Sequence, residues 1–127
     1  MTKQKRLKKL KKELWKVCSS YVKNRDGPKC FVCGKEIKNR KSWHCGHFLP
    51  SKICGDELRF YEKNLASCCY FCNINLGGYG AMFYRKMLEK YGQEEVDKIF
   101  KMLEDKRKWT EQDYIDKINY YKDLQNK

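Results

Sequence analysis

Two short runs, Cys30-Phe31-Val32-Cys33 and Cys69-Tyr70-Phe71-Cys72, constrain this chain more than anything else in it. Two C-x2-C pairs at this separation can close four thiolates around one Zn²⁺ at about 2.3 Å each. The closure pins four points of the chain to one atom and obliges the segment between them to fold back on itself. A four-thiolate site has no open position for water or substrate, so its zinc is structural, and any chemistry comes from the side chains it gathers. Gly34 permits the tight turn in which backbone amides point at the cysteine sulfurs. Cys68 rivals Cys69, because Cys68-x3-Cys72 is also a zinc-compatible spacing, but the matched C-x2-C pattern favours Cys69. Among the other cysteines, Cys18 reads as a small core residue, Cys45 shares a strand face with His47, and Cys54 has no assigned role.

Eight cysteines could also form disulfides, but Met1 to Lys12 is basic with only isolated leucines and has no apolar run of a secretory signal. A reducing compartment, the cytoplasm, is therefore expected, with the paired cysteines binding metal. No run approaches the roughly 18 apolar residues of a membrane span. The 127 residues suit one domain, 1–127, with a modest core. The formal charge is +13. Four thiolates on one Zn²⁺ would reduce it to roughly +11, still strongly attractive to a polyanion such as nucleic acid.

In residues 1–24, Leu7, Leu10, Leu14, Val17 and Tyr21 fall at helical spacing, and the opposite face is nearly all Lys and Arg, including Lys5, Arg6, Lys9 and Lys12. A helix from Lys3 to Asn24 would be about 33 Å long, enough to follow several phosphates. Its first ten residues are expected to fray in the absence of DNA. Asp26-Gly27-Pro28 ends it. Lys41 to Phe48 reads as a strand, Leu49 to Glu57 as a loop, and Leu58 to Phe60 as the returning strand of a hairpin. The second knuckle should open a helix with Asn73 in its first turn. Gly77-Gly78 interrupts it, and helices follow over Met82–Tyr91, closed by Gly92, over Glu94–Lys106, and from Thr110, whose partner Asp113 suggests a capping box. The zinc core then spans 30–76 and the C-terminal helices 79–127.

The order Cys-x2-Cys, Gly46-His47-Phe48, Arg59-Phe60-x3-Asn64, Cys-x2-Cys-Asn73 resembles the HNH nuclease superfamily, whose ββα-metal element cleaves phosphodiesters. Leu14-Trp15-Lys16, Ser20-Tyr21-Val22, Leu58-Arg59-Phe60, Tyr84-Arg85 and Tyr91-Gly92-Gln93-Glu94 narrow the likeness to the phage NinG (Rap) recombination nucleases. The resemblance implies an α+β fold, a zinc-stapled ββα-metal core with flanking helices. It also implies a metal-dependent DNA endonuclease acting on branched or single-strand-containing recombination intermediates, in the cytoplasm of the phage host and alongside phage or host recombination proteins.

Phosphodiester hydrolysis needs an activated water, a cation on the phosphate and stabilisation of the leaving alkoxide. His47 is the expected general base, since a neutral imidazole can accept a proton at physiological pH. Asn73, next to the last thiolate, is the expected ligand of a catalytic Mg²⁺ or Mn²⁺. Asn64 corresponds to the middle Asn of the motif, which ties hairpin and loop so that the His47 ring is oriented. Where many HNH enzymes carry an Asp or His ligand, this chain has Gly46. His44 is the nearest substitute, but using it together with His47 requires a bend in the strand, which Gly46 could allow. Arg59, Lys63, Arg85 and Lys86 are expected phosphate contacts, and no element that reads bases is evident. A zinc-knuckle protein that binds DNA without cutting it, and an RNA-binding zinc protein, are the competing readings.

Overall fold

The computed structural model describes residues 1–78 and 80–127. Helix α1, Lys3–Asp26, starts at a Thr2 cap whose hydroxyl accepts from the Lys5 amide at 3.2 Å, and it ends at Gly27, whose φ of 75° no helix continues. Leu14, Cys18 and Val22, four residues apart, form its fully buried stripe. Val17 and Tyr21, expected in the centre of that stripe, lie half-buried on its flank, because Cys18 packs as the small apolar residue between Leu14 and Val22. Leu7 and Leu10 pack against the same core, and the helix runs unbroken from Lys3.

Strand β1, Trp43–His47, pairs antiparallel with β2, Leu65–Cys69, in a register from Trp43↔Cys69 to His47↔Leu65. The return strand is therefore not Leu58–Phe60. That segment belongs to a short helix, α2, Asp56–Arg59, and the turn after it, where Asp56 and Arg59 form an ion pair and Leu58 is buried. The cause is the burial of β2. Leu65, Ala66, Ser67 and Cys68 are all buried, so the true strand lacks the alternation of one that faces water on one side.

The hairpin lies between two apolar clusters. Cys30, Val32, Phe48, Cys68, Phe83 and Ile99 belong to one. Leu14, Val22, Phe60, Leu65, Ile118 and Tyr121 belong to the other. After β2 the chain makes a wide π-helical turn, Phe71–Asn75, where a regular helix was expected, and Gly78 N–H closes it on the Cys72 carbonyl at 2.9 Å. Helix α3, Gly80–Lys101, is interrupted at Gly92 (φ 84°), the expected junction of two helices, and its second part stops at Lys101, short of Lys106, in a 3₁₀ turn over Met102–Glu104. Helix α4, Glu111–Gln125, opens with the expected capping box. The Thr110 hydroxyl accepts from Asp113 N–H at 3.2 Å, and the Asp113 carboxylate accepts from Thr110 N–H at 2.8 Å. Helices α1 and α4 run side by side in the same direction, joined by Arg6 to Glu111 (2.8 Å) near their starts and by Gln125 to the Val17 carbonyl (3.1 Å) farther along. The fold is α+β with a two-stranded sheet. Among the described residues no helix is long and apolar enough to cross a membrane.

Candidate functional site

The knuckles meet as expected. The sulfurs of Cys30, Cys33, Cys69 and Cys72 all lie within 4.8 Å of one another, and Cys33 Sγ is 3.8 Å from Cys69 Sγ. A regular tetrahedron with about 2.3 Å from centre to corner has edges of about 3.8 Å, so the spacing fits a single Zn²⁺. The amides of Cys33 and Cys72 point at Cys30 Sγ (3.5 Å) and Cys69 Sγ (3.4 Å), as a thiolate centre requires. Gly34, at φ 78°, makes the turn that allows the first of these. Cys68 stands outside the four. Its buried thiol is the main influence holding the Cys30 pKa below the usual thiol range, while its own is pushed up.

On the same face of β1 lie His44 and Gly46. Asn73 Nδ2 donates to His44 Nδ1 at 2.9 Å, and the other ring nitrogen, Nε2, is 3.2 Å from the Lys41 carbonyl, which suits a ring protonated on Nε2. The Tyr70 ring meets His44 edge-on. A Cβ on Gly46 would lie 2.7 Å from Cys68 Sγ and 3.2 Å from Asn73 Oδ1. The space that an Asp or His before His47 would occupy is thus filled by Cys68 and Asn73. Pairing continues regularly through Gly46↔Ala66, so the bend that would bring His44 and His47 to one side is not made. The two imidazoles face opposite sides of the strand.

His47 faces α1. Its ring stacks on Trp15 with centroids 5.2 Å apart and planes 12° from parallel, and Nε2 lies 3.0 Å from the Arg59 carbonyl. Burial lowers its pKa to about 4, against the weaker upward pull of that hydrogen bond, so the ring is neutral at physiological pH and carries its proton on Nε2. Asn64 is fully buried beside it in the fold. Its Oδ1 accepts from Leu49 N–H (2.9 Å), and its Nδ2 donates to the carbonyls of Leu49 and Leu58 (3.3 Å each), which ties the loop to the start of β2.

The basic residues sort by what they already hold. Arg59 is fully engaged: its guanidinium donates to Ser51 (3.0 Å to Oγ), the Cys54 carbonyl and Asp56, so it builds the loop wall and has little left for phosphate. Lys63 pairs with Glu95 (2.8 Å), and Arg6 with Glu111. Arg85 and Lys86 both lie 3.8 Å from the exposed Glu89, pairs too solvated to hold them. Lys5, Lys9 and Lys12 are exposed and have no ion pair among the described residues.

Several structural residues escaped the sequence reading. Arg25 donates to the carbonyls of Glu62 (2.9 Å) and Leu65 (2.7 Å), and Asp26 accepts from Ser67 N–H (2.9 Å), which bolts the end of α1 to β2. Burial works against the Asp26 charge, but Arg25 and the Ser67 amide hold its carboxyl below the usual carboxylate range. A cleft of about 450 Å³ between α1 and the α2 loop is lined by Lys8, Lys11, Lys12, Trp15, His47 and Arg59, among others. The spacing of residues 8, 11, 12 and 15 on one helical face was the available signal.

Fold and site together define a small α+β protein organised on a four-cysteine centre. The family model described as "Bacteriophage Lambda NinG protein" matches residues 1–127, and the chain belongs to that family. It is similar to "Protein ninG" of Escherichia phage lambda, 28% identical over 100 residues that cover 78% of this chain and 47% of the relative. "Protein ninG" of Salmonella phage P22 is 26% identical over 89 residues, 69% of this chain and 42% of the relative. The chain spans about half the length of the curated relatives it matches. No solved structure matches it.

Proposed function

We propose that this NinG-family protein is a metal-dependent DNA endonuclease of the HNH type, its hairpin and π-helical turn serving as a zinc-stapled ββα-metal core, with branched or single-strand-containing phage recombination intermediates as substrate. The reading rests on one observation: a neutral, hydrogen-bonded His47 at the end of β1 shares a four-cysteine hairpin with the His44–Asn73 donor pair. A half-turn of the Asn73 amide would release the lone pair of His44 Nδ1 and present Oδ1 beside it, and the two would then hold a Mg²⁺ or Mn²⁺, the imidazole favouring Mn²⁺, with water and phosphate oxygens completing its shell. Bound there, the ion would neutralise phosphate charge and stabilise the leaving alkoxide. His47, with Nε2–H directed at the Arg59 carbonyl, keeps the Nδ1 lone pair for the proton of the attacking water. An incoming phosphate raises the pKa of that imidazole from its low resting value and makes it the stronger base when substrate is present. Asn64 holds the loop that carries Leu58 and, one residue on, the Arg59 carbonyl, and so orients the ring. On this reading the protein works in the cytoplasm of the infected cell, with phage or host recombination proteins as partners.

A second reading, a DNA-binding protein that does not cut, is favoured by the orientation of His47 towards α1, away from His44 and Asn73. A nicking assay on linear, single-stranded and four-way-junction DNA, with Mg²⁺, Mn²⁺ or EDTA, separates the two. His47→Ala should cut at least roughly 10²-fold more slowly with zinc content and DNA affinity retained. Asn73→Ala should need more Mg²⁺ or Mn²⁺ for the same rate. Binding without cutting by the wild type, under every metal condition, would sink the nuclease reading and leave the binder.

A further inference from the structure

The cleft beneath α1 joins three features. Lys8, Lys11, Lys12 and Trp15 recur at helical spacing along one face of the helix and line it from above. His47 and Arg59 line it from the hairpin and loop side. Its charge is one-sided. Lys8 and Lys12 have no ion-pair partner among the described residues, and the nearby Asp56 carboxylate is shared between Arg59, Lys11 at 3.8 Å and the Tyr114 hydroxyl at 2.8 Å.

We propose that this cleft is a binding site for the sugar-phosphate backbone of a nucleic-acid strand, with Lys8 and Lys12 as phosphate contacts. The chemistry of the walls selects the ligand. Two unpaired ammonium groups one helical turn apart are separated by about 6 Å along the axis. That is comparable to the separation of neighbouring phosphates along one strand, so each lysine meets a phosphate of the same strand. The floor of Trp15 and His47 is planar and apolar, suited to the sugar and base faces between phosphates and poorly suited to a compact, fully hydrated anion. A strand seated there passes directly over His47, whereas one lying along the outer face of α1 would not reach it.

This proposal rests on the nucleic-acid part of the function given above, but not on cleavage. The test is therefore binding by fluorescence anisotropy to a single-stranded DNA 20-mer across a salt series, with EDTA omitted so that zinc stays bound. Lys8→Gln/Lys12→Gln should weaken binding and reduce the slope of log affinity against log salt by about 1.4, roughly 0.7 for each lost phosphate contact. The comparison protein, Lys35→Gln/Lys38→Gln, loses the same charge from the exposed loop after the first knuckle, where neither lysine lines the cleft. Its slope should change little. Equal slopes for the two double variants would reduce the cleft to part of a diffuse field and overturn the proposal. A wild-type slope retained by Lys8→Gln/Lys12→Gln would overturn it as well, while DNA binding by the wild type would leave the broader reading standing. Absence of binding by the wild type would overturn both.

Discussion

The stacked Trp15 ring and the Arg59 carbonyl replace water around the His47 imidazole, and no carboxylate is among the groups that set its titration. The unfolded chain protonates this ring near pH 6.5, whereas the folded protein does so only near pH 4. Between those values the unfolded state holds a proton that the native state refuses, so stability falls as pH drops through this window and the loss is complete below about pH 4. Taken from pH 7 to pH 4.5, the penalty is roughly 2 to 3 kcal/mol. Urea unfolding at the two pH values should show that extra loss in the wild type and not in His47→Gln. An identical pH dependence in the two proteins would mean that the ring is better hydrated than its packing indicates. Trp15→Ala should move the same group back towards 6.5, readable as an upward shift of the His47 ring resonances' titration midpoint by NMR.

Among the elements, the knuckles were the most legible, because tetrahedral zinc needs four sulfurs and the spacing of the cysteines states where they must meet. The choice between Cys68 and Cys69 was harder, since one residue of displacement turns a side chain to the other face of a strand. In the hairpin, Cys68 opposes His44 and its thiol reaches Cys30 from outside the cluster, whereas Cys69 opposes Trp43 and joins the four. Cys69→Ser should therefore release zinc, measured by a chromophoric chelator, and Cys68→Ser should keep one zinc per chain at reduced affinity. Zinc retained at full affinity in Cys69→Ser would reassign the ligand. The return strand was illegible for the opposite reason. A nearly fully buried strand written Leu-Ala-Ser-Cys-Cys has no period to detect, whereas Leu58-Arg59-Phe60 alternates apolar and basic as a half-buried strand would. The charge on α1 was visible, but the face that lines the cleft depends on the hairpin docking beneath Trp15, a tertiary fact that helical periodicity alone does not contain.

At the scale of the whole molecule, the hairpin divides two clusters, of which only the first includes cysteines of the centre that a Zn²⁺ would fill. Cys30 and Cys72 are members of the first, with Val32, Phe83 and Met87 packed around them. The second, made by Leu14, Cys18 and Val22 of α1 with Tyr114, Ile118 and Tyr121 of α4, contains no zinc ligand. A structural Zn²⁺ contributes about 10 kcal/mol or more to the folding of such centres, so its removal would take away the main restraint on the knuckles and on the π-helical turn that begins within the second of them. The α1–α4 contact has restraints of its own: the capping box of α4, the Arg6–Glu111 pair and the hydrogen bond of the Gln125 amide to the Val17 carbonyl. Local units of this kind open at different free energies. Chelation of zinc should accordingly abolish amide-exchange protection over residues 30–37 and 68–91 first, while residues 14–22 and 114–121 remain protected and part of the helical circular dichroism persists. The bolt of Arg25 and Asp26 to β2 sets the limit of this independence, because Asp26 also accepts the Ser67 amide and thereby couples α1 to the strand that carries Cys69. If that coupling dominates, Asp26→Asn should widen the gap between the two exchange classes, since the amide holds the Ser67 N–H and Arg25 less strongly than a carboxylate does. Simultaneous loss of protection in both halves, in one step and in both proteins, would show that the molecule opens as a single cooperative unit and that the zinc holds all of it.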